Sequence, residues 1–478
     1  MFCKDRNFKQ TRSRYGVLSL LALMLTGALV GWFSVETYNR PFVNAIKSAN
    51  GRDYSLKGSS GSALKLTTPQ FRDKLRGMLL LGGYGDALGA PHETSGIKGN
   101  AGDPASATQL PQFRDYGTNT ADPWDVWQDP SKIDGDTLGM PTDDTSYRVA
   151  ILHQWLTQLA TTNDPPTEAS FVSWIKSEDR PAADAPEWEN SRHDQIRDWI
   201  EMFHDANLLA RNPDNFVPSC NNPFFRKDVP VVFGPFMHLE LAPVYASCSK
   251  QDVFTKFSSF GLLDQSYGRF VTGMMAAMMA DALCANTEDK KFDEWFFQTA
   301  GDILDSNLGY PSHRAVVKDH FQAAKQIGTD SQELSEADFM ERLKQVFDEE
   351  LPLLPSQTER GDFRSFDPLL FLKMMAASVA YSDGDVQLAL RVLAVAPGDS
   401  DTMASQLGSL IGAWSGEDGL RNLDPDLAAD LDQVEGAILD QYNIRLSDLA
   451  ASLIELAHKH GRLQKRNKVA RSKRKGQE

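Results

Sequence analysis

The sequence predicts an all-α fold, a single large orthogonal bundle of helices preceded by one transmembrane helix. Apolar residues recur at helical spacing in successive segments from Phe71 to Ala457, whereas the alternation of a β-strand is nearly absent. One further run near the N-terminus carries no charge over 21 residues. These observations predict a helical domain behind a membrane anchor.

The uncharged run, residues 15–35, is long enough as a helix to cross a hydrocarbon core of about 30 Å. Five Lys and Arg residues within residues 1–14 precede it. This imbalance predicts a cytoplasmic N-terminus and a domain on the non-cytoplasmic side, which is the periplasm in a bacterium. A cleaved signal peptide is the alternative, with residues 26–28 as its cleavage site. The length of the run favours an uncleaved, single-pass anchor.

Charge and composition divide the rest of the chain. Residues 36–67 become Gly- and Ser-rich and are predicted to form a flexible tether. Residues 68–457 carry the helical patterns of one domain, and the basic residues 458–478 are predicted to be a disordered tail. Residues 36–458 hold 35 basic and 63 acidic residues, a charge balance that repels phosphate backbones and predicts no nucleic-acid partner.

The four cysteines leave the compartment open. Cys284 lies in an apolar run, where we expect a buried free thiol. Cys220 and Cys248 are able to pair outside the cytoplasm, but the sequence does not decide this.

The first of three acidic motifs covers residues 74–93, KLRGMLLLGGYGDALGAPHE. Its glycines weaken a helix unless a close contact requires them. Asp86 falls near the predicted helix end, and Glu93 follows in a loop. A helix with a glycine-permitted contact and a solvated glutamate explains this motif equally well on its own.

The second motif, residues 139–156, begins a helix with Thr142, Asp143 and Asp144. Threonine and aspartate at this place are typical of helix caps, because they accept hydrogen bonds from the exposed N–H groups of the first turn. Two adjacent carboxylates flanked by hydroxyls nevertheless supply more hard oxygen ligands than one cap requires.

The third motif, residues 396–416, places Asp399, Asp401 and Thr402 before another helix. Small residues follow at positions 404, 408 and 412, so this helix is expected to lie very close to a neighbour at the centre of the bundle. Carboxylates at the mouth of such a helix would be partly buried and need a cation. Oxygen ligands favour Mg²⁺, Mn²⁺ or Ca²⁺, and two such clusters favour a two-metal site.

In this order, GDALGAPHE, PTDDT and GDSDTMASQLGSLIGA resemble the ADP-ribosylglycohydrolase family over roughly residues 70–420. The resemblance implies a binuclear Mg²⁺ centre, with Mn²⁺ as a substitute. It also implies catalytic roles for Glu93 and Asp144. The metal ligands that it implies are Thr142, Asp143, Asp144, Asp399, Asp401 and Thr402.

The family hydrolyses glycosidic bonds to ADP-ribose. The resemblance therefore implies that the partners of this chain are ADP-ribosylated proteins or small ADP-ribosyl compounds. Its chemistry asks the metals to orient the ribose and activate a water, while a carboxylate moves the proton.

The sequence departs from the family in the loop that usually holds the diphosphate. Residues 234–243 read GPFMHLELAP, so Pro235 removes a backbone donor and Glu240 reverses a charge. The usual downstream histidine is replaced by YGRF at residues 267–270, where Arg269 is either a phosphate partner or a surface charge. These changes favour an alternative function, a membrane-anchored relative without enzyme activity that binds metal and a partner or ligand.

Overall fold

A computed structural model describes residues 68–90, 144–145, 148–149, 152, 249–259, 267–284, 290–349, 367–442 and 444–457. Every regular element within these ranges is helical, as the sequence predicts. The helices are α1 (Thr68–Gly89), α2 (Lys250–Ser259), α3 (Gly268–Cys284), α4 (Phe292–Leu304), α5 (Pro311–Asp330), α6 (Glu336–Glu349), α7 (Pro368–Tyr381), α8 (Val386–Ala394), α9 (Ser400–Ser415), α10 (Glu417–Leu423) and α11 (Pro425–Tyr442). Residues 446–457 and the short described pieces between 144 and 152 are also helical.

The centre of the domain is the antiparallel pair α1 and α9. A Cβ atom on Gly412 would overlap the carbonyl oxygen of Gly77, and one on Gly408 would overlap that of Leu81. A Cβ atom on Gly85 would overlap the carbonyl oxygen of residue 404 in the same way. The two backbones therefore touch once per turn, since successive contact positions are four residues apart on each helix. The predicted stripe of small residues on α9 thus has α1 as its neighbour.

This close contact buries α9 completely over most of its length. All residues from Ser400 to Ala413 are buried, including its polar ones. The apolar face of α1, with Leu75, Met78 and Leu79, is buried in the same core. The other helices surround this pair, with α5 packed along α7 and α2 along α3.

Lys74 links the start of α1 to the ends of two other helices. Lys74, near the start of α1, donates hydrogen bonds to the carbonyl oxygens of Ala282 (2.8 Å) and Trp414 (3.1 Å). These carbonyls belong to the last turns of α3 and α9, which end where α1 begins. The opposite end of the pair, where α1 ends and α9 begins, carries the first and third acidic motifs.

The helical spacing of apolar residues predicts helices over residues 270–283, 292–304, 337–347, 369–381, 386–395, 403–414 and 427–457. The first six agree with α3, α4, α6, α7, α8 and α9, apart from their ends. Three helices, α2, α5 and α10, lack a predicted counterpart. The predicted helix over residues 427–457 is too long. In the structure α11 ends at Tyr442, residues 444–445 are not helical, and a separate helix begins at residue 446. At this break Ile444 and Leu446 are buried, and the Glu435 carboxylate accepts a hydrogen bond from the N–H of Ser447 at 3.1 Å, which starts the next helix.

The predicted anchor at 15–35, the tether and the basic tail lie outside the described residues, as does the loop at 234–243. In the ranges that the structure describes, no helix combines the length and the apolar character needed to cross a membrane.

The expectation for Cys284 is wrong. Cys284 forms a disulfide, and its partner is one of the three cysteines outside the described ranges. Its position in an apolar run predicts burial but says nothing about pairing, and the half-buried side chain packs against the core.

Candidate metal centre

Three aspartates meet where α1 ends and α9 begins. Asp86 is fully buried near the end of α1, Asp401 is 2% exposed in the first turn of α9, and Asp144 is 9% exposed. One carboxylate oxygen from each lies within 4.8 Å of the other two. We call these three residues the acidic cluster. They come from segments far apart in the sequence, so only the tertiary fold assembles them.

Asp86 also positions the segment that carries Asp144. Its Oδ2 accepts a hydrogen bond from the backbone N–H of Thr145 at 3.0 Å and another from the Thr145 hydroxyl at 2.6 Å. Thr145 is fully buried, so these bonds are shielded from competing water. Asp86 therefore attaches the start of the helical segment 144–152 to α1.

The start of α9 is attached to the same place. The Ser400 hydroxyl donates to the carbonyl oxygen of Gly89, the last residue of α1, at 3.0 Å. A Cβ atom on Gly89 would overlap the backbone of Asp401. Asp401 Oδ1 accepts a hydrogen bond from the N–H of Thr402 at 2.8 Å, which orients its carboxylate. The glycine thus lets the Asp401 backbone approach the end of α1.

Helix capping does not explain Asp399. Asp367 and Asp385 occupy the N-cap positions of α7 and α8, and their carboxylates accept hydrogen bonds from backbone N–H groups of the first turn. Asp399 has the same position before α9 and makes no side-chain capping bond. It is 6% exposed beside the acidic cluster. Capping therefore does not account for the burial of Asp399 at this position.

The acidic cluster fits a hard divalent cation. Buried carboxylates this close together repel one another, and a cation between them removes that penalty. Carboxylate and hydroxyl oxygens suit Mg²⁺ and Mn²⁺ better than Zn²⁺, which prefers nitrogen and sulfur ligands. The donor set therefore fits the metal that the sequence motifs predict.

The predicted site residues divide into three groups. Asp144 and Asp401 lie together in the acidic cluster. Asp399 and Thr402 are buried at the start of α9 but do not belong to the three-carboxylate group. The remaining three, Glu93, Thr142 and Asp143, lie outside the described residues.

Sequence reasoning missed Asp86 as a member of the cluster. Its signal was its place between Gly85 and Gly89, both of which contact the backbone of α9. An aspartate one residue from such a contact is carried into the interior. Because isolated buried carboxylates are costly, this position predicts a charged or hydrogen-bonded partner.

The segment YGRF, which stands where the family usually has a histidine, contacts a carboxylate outside the acidic cluster, that of Asp367. The Tyr267 hydroxyl donates to Asp367 Oδ2 at 3.1 Å, and burial raises the pKa of Asp367 to about 6. Arg269 is half-buried and lies near His313, whose pKa is lowered by burial and by the charge of Arg269. The tyrosine therefore joins the start of α3 to the start of α7.

Comparison with known proteins places the chain. No curated protein matches the sequence. A solved structure titled "ADP-ribosylglycohydrolase-related protein complex" is similar, with 16% sequence identity, coverage of 81% of this chain and 99% of that chain, and a TM-score of 0.42. The sequence of residues 67–462 matches the family described as ADP-ribosylglycohydrolase. Since this match covers most of the chain, the protein belongs to the ADP-ribosylglycohydrolase family.

Proposed function

We propose that the protein is a Mg²⁺-dependent hydrolase that cleaves the glycosidic bond of ADP-ribosylated side chains or of a related ADP-ribosyl compound. The observation that carries the proposal is the convergence of Asp86, Asp144 and Asp401, within 4.8 Å, in a domain of this family. A purely structural domain gains nothing from three buried carboxylates in mutual repulsion.

The proposed metal ligands come from both sides of the cluster. Two Mg²⁺ ions, or Mn²⁺, would be held by Asp144, Asp401 and their neighbours: Thr142, Asp143, Asp399 and Thr402. When bound, the ions orient ribose hydroxyls and lower the pKa of a water. Asp86, the third member of the acidic cluster, also fixes the direction from which Asp144 approaches through its bonds to Thr145.

We assign Glu93 as the group that takes the proton from the attacking water. Glu93 follows the end of α1 by four residues. In the proposed mechanism Glu93 accepts a proton as the water attacks and returns it to the leaving group. Asp144 supports this step by holding the reacting groups in place, since orientation alone contributes much of the rate in such sites.

The direct test is metal-dependent release of ADP-ribose from ADP-ribosylarginine, ADP-ribosylserine and O-acetyl-ADP-ribose. We expect release with Mg²⁺ from at least one substrate and none with EDTA. Asp401→Asn keeps the shape of the side chain and should lower turnover by about a hundredfold or more. Asp252→Asn, an exposed aspartate in the first turn of α2, is the matched control and should retain full activity. Equal rates with EDTA would contradict the proposal.

A second variant separates binding from turnover. Glu93→Gln removes the proton acceptor but preserves shape, so it should abolish turnover while ADP-ribose binding changes little. Full activity of Glu93→Gln would exclude this residue and leave the metal-bound carboxylates as the acids and bases.

The loop at 234–243 favours a second candidate, a non-enzymatic relative that binds metal and a ligand or partner. Glu240 would repel a phosphate by about 1 kcal/mol at roughly 4 Å in a water-like dielectric. On this hypothesis wild-type protein binds ADP-ribose weakly and releases none, and Glu240→Arg tightens binding. Calorimetry with ADP-ribose decides it, because tight wild-type binding that is unaffected by the substitution would place the phosphates elsewhere.

We also propose that the domain lies outside the cytoplasm, anchored by residues 15–35. The Cys284 disulfide supports this location, because disulfides persist in oxidising compartments and are rare in the cytoplasm. Protease added to intact spheroplasts of a bacterial expression host should then cleave the domain. A protected domain with a reduced Cys284 would contradict the orientation, and a mature protein that starts near residue 29 would indicate a cleaved signal.

A further inference from the structure

Arg148 is the largest charged side chain in the interior near the acidic cluster. It is 1% exposed, and its Nη2 donates a hydrogen bond to the hydroxyl of Ser405 on α9. A guanidinium stays protonated at any pH at which proteins fold. Burial of such a charge is unfavourable unless other charges compensate it. A neutral hydroxyl does not compensate a full charge, so negative charge nearby is what makes the burial of Arg148 favourable.

That negative charge lies one helical turn away on each of three elements. Arg148 follows Asp144 by four positions, and its contact Ser405 follows Asp401 by four positions. Helical side chains lean toward the N-terminus of their own helix, so both side chains lean toward these aspartates. One turn rises about 5.4 Å, so the contacts of the guanidinium lie about one helical turn from the acidic cluster.

The third element makes room for the guanidinium. Gly82 on α1 lies four positions before Asp86, the remaining member of the cluster. A Cβ atom on Gly82 would lie 2.7 Å from Arg148 Nη1 and would overlap the hydroxyl of Ser409. This distance is too short for any side chain. Gly82 therefore provides the space that the arginine occupies.

We propose that Arg148 is a positioning residue, an internal counter-ion that keeps the acidic cluster assembled before a metal binds. One fixed positive charge beneath three carboxylates reduces their mutual repulsion in the metal-free protein. The same charge opposes the arrival of a cation, so the metal binds more weakly than to the carboxylates alone. This inference rests on the metal site of the proposed function.

The test compares Arg148→Gln with Arg148→Lys, using thermal unfolding and Mn²⁺ calorimetry. Gln removes the charge but keeps a donor for Ser405. In EDTA we expect Arg148→Gln to lower the melting temperature by about 5 °C. Its Kd for Mn²⁺ should become about tenfold lower, as expected for removing one charge roughly 6 Å from a divalent ion in a water-like dielectric. Mn²⁺ should therefore stabilise this variant more than it stabilises the wild type.

Arg148→Lys keeps the charge, so its Kd should stay within about threefold of the wild-type value although the fork geometry is lost. Arg421→Gln removes the same charge at the other end of α9 and should leave the Kd for Mn²⁺ unchanged.

A merely structural role predicts a different result. Arg148→Gln would then lose stability equally with and without Mn²⁺, at an unchanged or higher Kd, and that result would overturn the proposal. Failure of both variants to fold even with Mn²⁺ would also overturn it, because the proposal requires lysine or metal to replace the guanidinium. If wild-type protein bound no Mn²⁺, the metal site itself would be wrong, whereas the melting temperatures in EDTA would still decide the role of Arg148.

Discussion

The two ends of the α1–α9 pair differ in the charged groups that surround their buried carboxylates. At one end the acidic cluster brings three carboxylates together, and the buried Arg148 lies one helical turn along the chain from Asp144. At the other, which we call the paired end, Glu417 is buried between two arginines. Its Oε2 lies 2.8 Å from Arg76 Nε, and its Oε1 lies 2.9 Å from Arg421 Nε. Glu417 thus has two cationic partners at the paired end, whereas the acidic cluster brings three carboxylates within 4.8 Å of one another.

This difference separates structural from functional acid. The same two helices bring both groups together, so the contrast does not arise from a difference in fold or in burial. The carboxylate at the paired end has cations from the chain itself, and removing it should therefore cost stability. The carboxylates of the acidic cluster repel one another, and removing one should cost metal binding instead.

The largest effect should come from breaking the contact that holds both ends in place. Gly412→Ala puts a Cβ atom into the carbonyl oxygen of Gly77, so one backbone must move. We expect a loss of about 3 kcal/mol in the free energy of unfolding, measured by urea denaturation. Gly436→Ala on α11 is the control, because its Cβ atom would meet nothing within 4 Å. It should stabilise by about 0.5–1 kcal/mol. Equal effects of the two substitutions would contradict the close backbone contact.

At the paired end, Glu417→Gln leaves two arginines without their shared carboxylate. Both arginines are partly exposed, so solvent moderates the effect, and we expect a loss of about 2 kcal/mol in the free energy of unfolding. Lys318→Ala breaks a 2.6 Å pair with Asp305 in which the side chains are 37% and 67% exposed. That loss should stay below about 0.5 kcal/mol. If Glu417→Gln left the free energy of unfolding unchanged, the ion pairs of the paired end would contribute no more than those at the protein surface.

The pH dependence of stability should reveal Lys74 at the paired end. Burial lowers the pKa of Lys74 to about 8, below its ordinary value of 10.5. Between these values the unfolded chain binds more protons than the folded one, so stability rises with pH. The neutral amine still donates to the carbonyls of Ala282 and Trp414. The wild-type protein should therefore gain about 1.5 kcal/mol relative to Lys74→Met from pH 8 to pH 9.5. A constant difference would contradict the lowered pKa.

The smallest effect should have the opposite sign. In EDTA, Asp401→Asn removes one of three repelling carboxylates, while two remain to compensate Arg148. Asn still offers an oxygen to the N–H of Thr402. We expect the metal-free protein to gain about 1 kcal/mol in the free energy of unfolding and to lose its stabilisation by Mg²⁺. Destabilisation in EDTA as large as that of Glu417→Gln would remove the distinction between the two ends.

The sequence predicts the centre of the molecule better than its periphery. The small residues of α9 predict a helix packed closely against it. That helix is α1, which carries the glycines of the first motif. The sequence does not predict α5, because its buried face is narrow and includes two small residues. The buried residues are Val317, Phe321, Ala324 and Gly328. Its remaining positions are polar or small, so tertiary packing rather than pattern determines the helix.

The site shows the same limit of local pattern. Motifs at the starts of two helices predict metal ligands, and the structure brings Asp144 and Asp401 from those motifs together. Asp86 and Arg148 lie within the first and second motifs, but nothing in the local pattern indicates their roles. Their importance depends on what lies across a helix contact, namely the backbone of α9 for one and Gly82 for the other. Such partners are known only once the register between α1 and α9 is known.

That register also sets an order of events for the folding chain. Ser400 and Gly89 meet although 311 positions separate them, so α1 lacks its main partner, α9, until nearly the whole domain has been synthesised. Contacts this distant in sequence form slowly, and the apolar face of α1 remains open to water in the meantime. A fragment that ends before α9 would keep that face exposed and would aggregate. The acidic cluster is therefore completed only in a chain that includes α9, and a chain truncated before α9 never presents it to a metal.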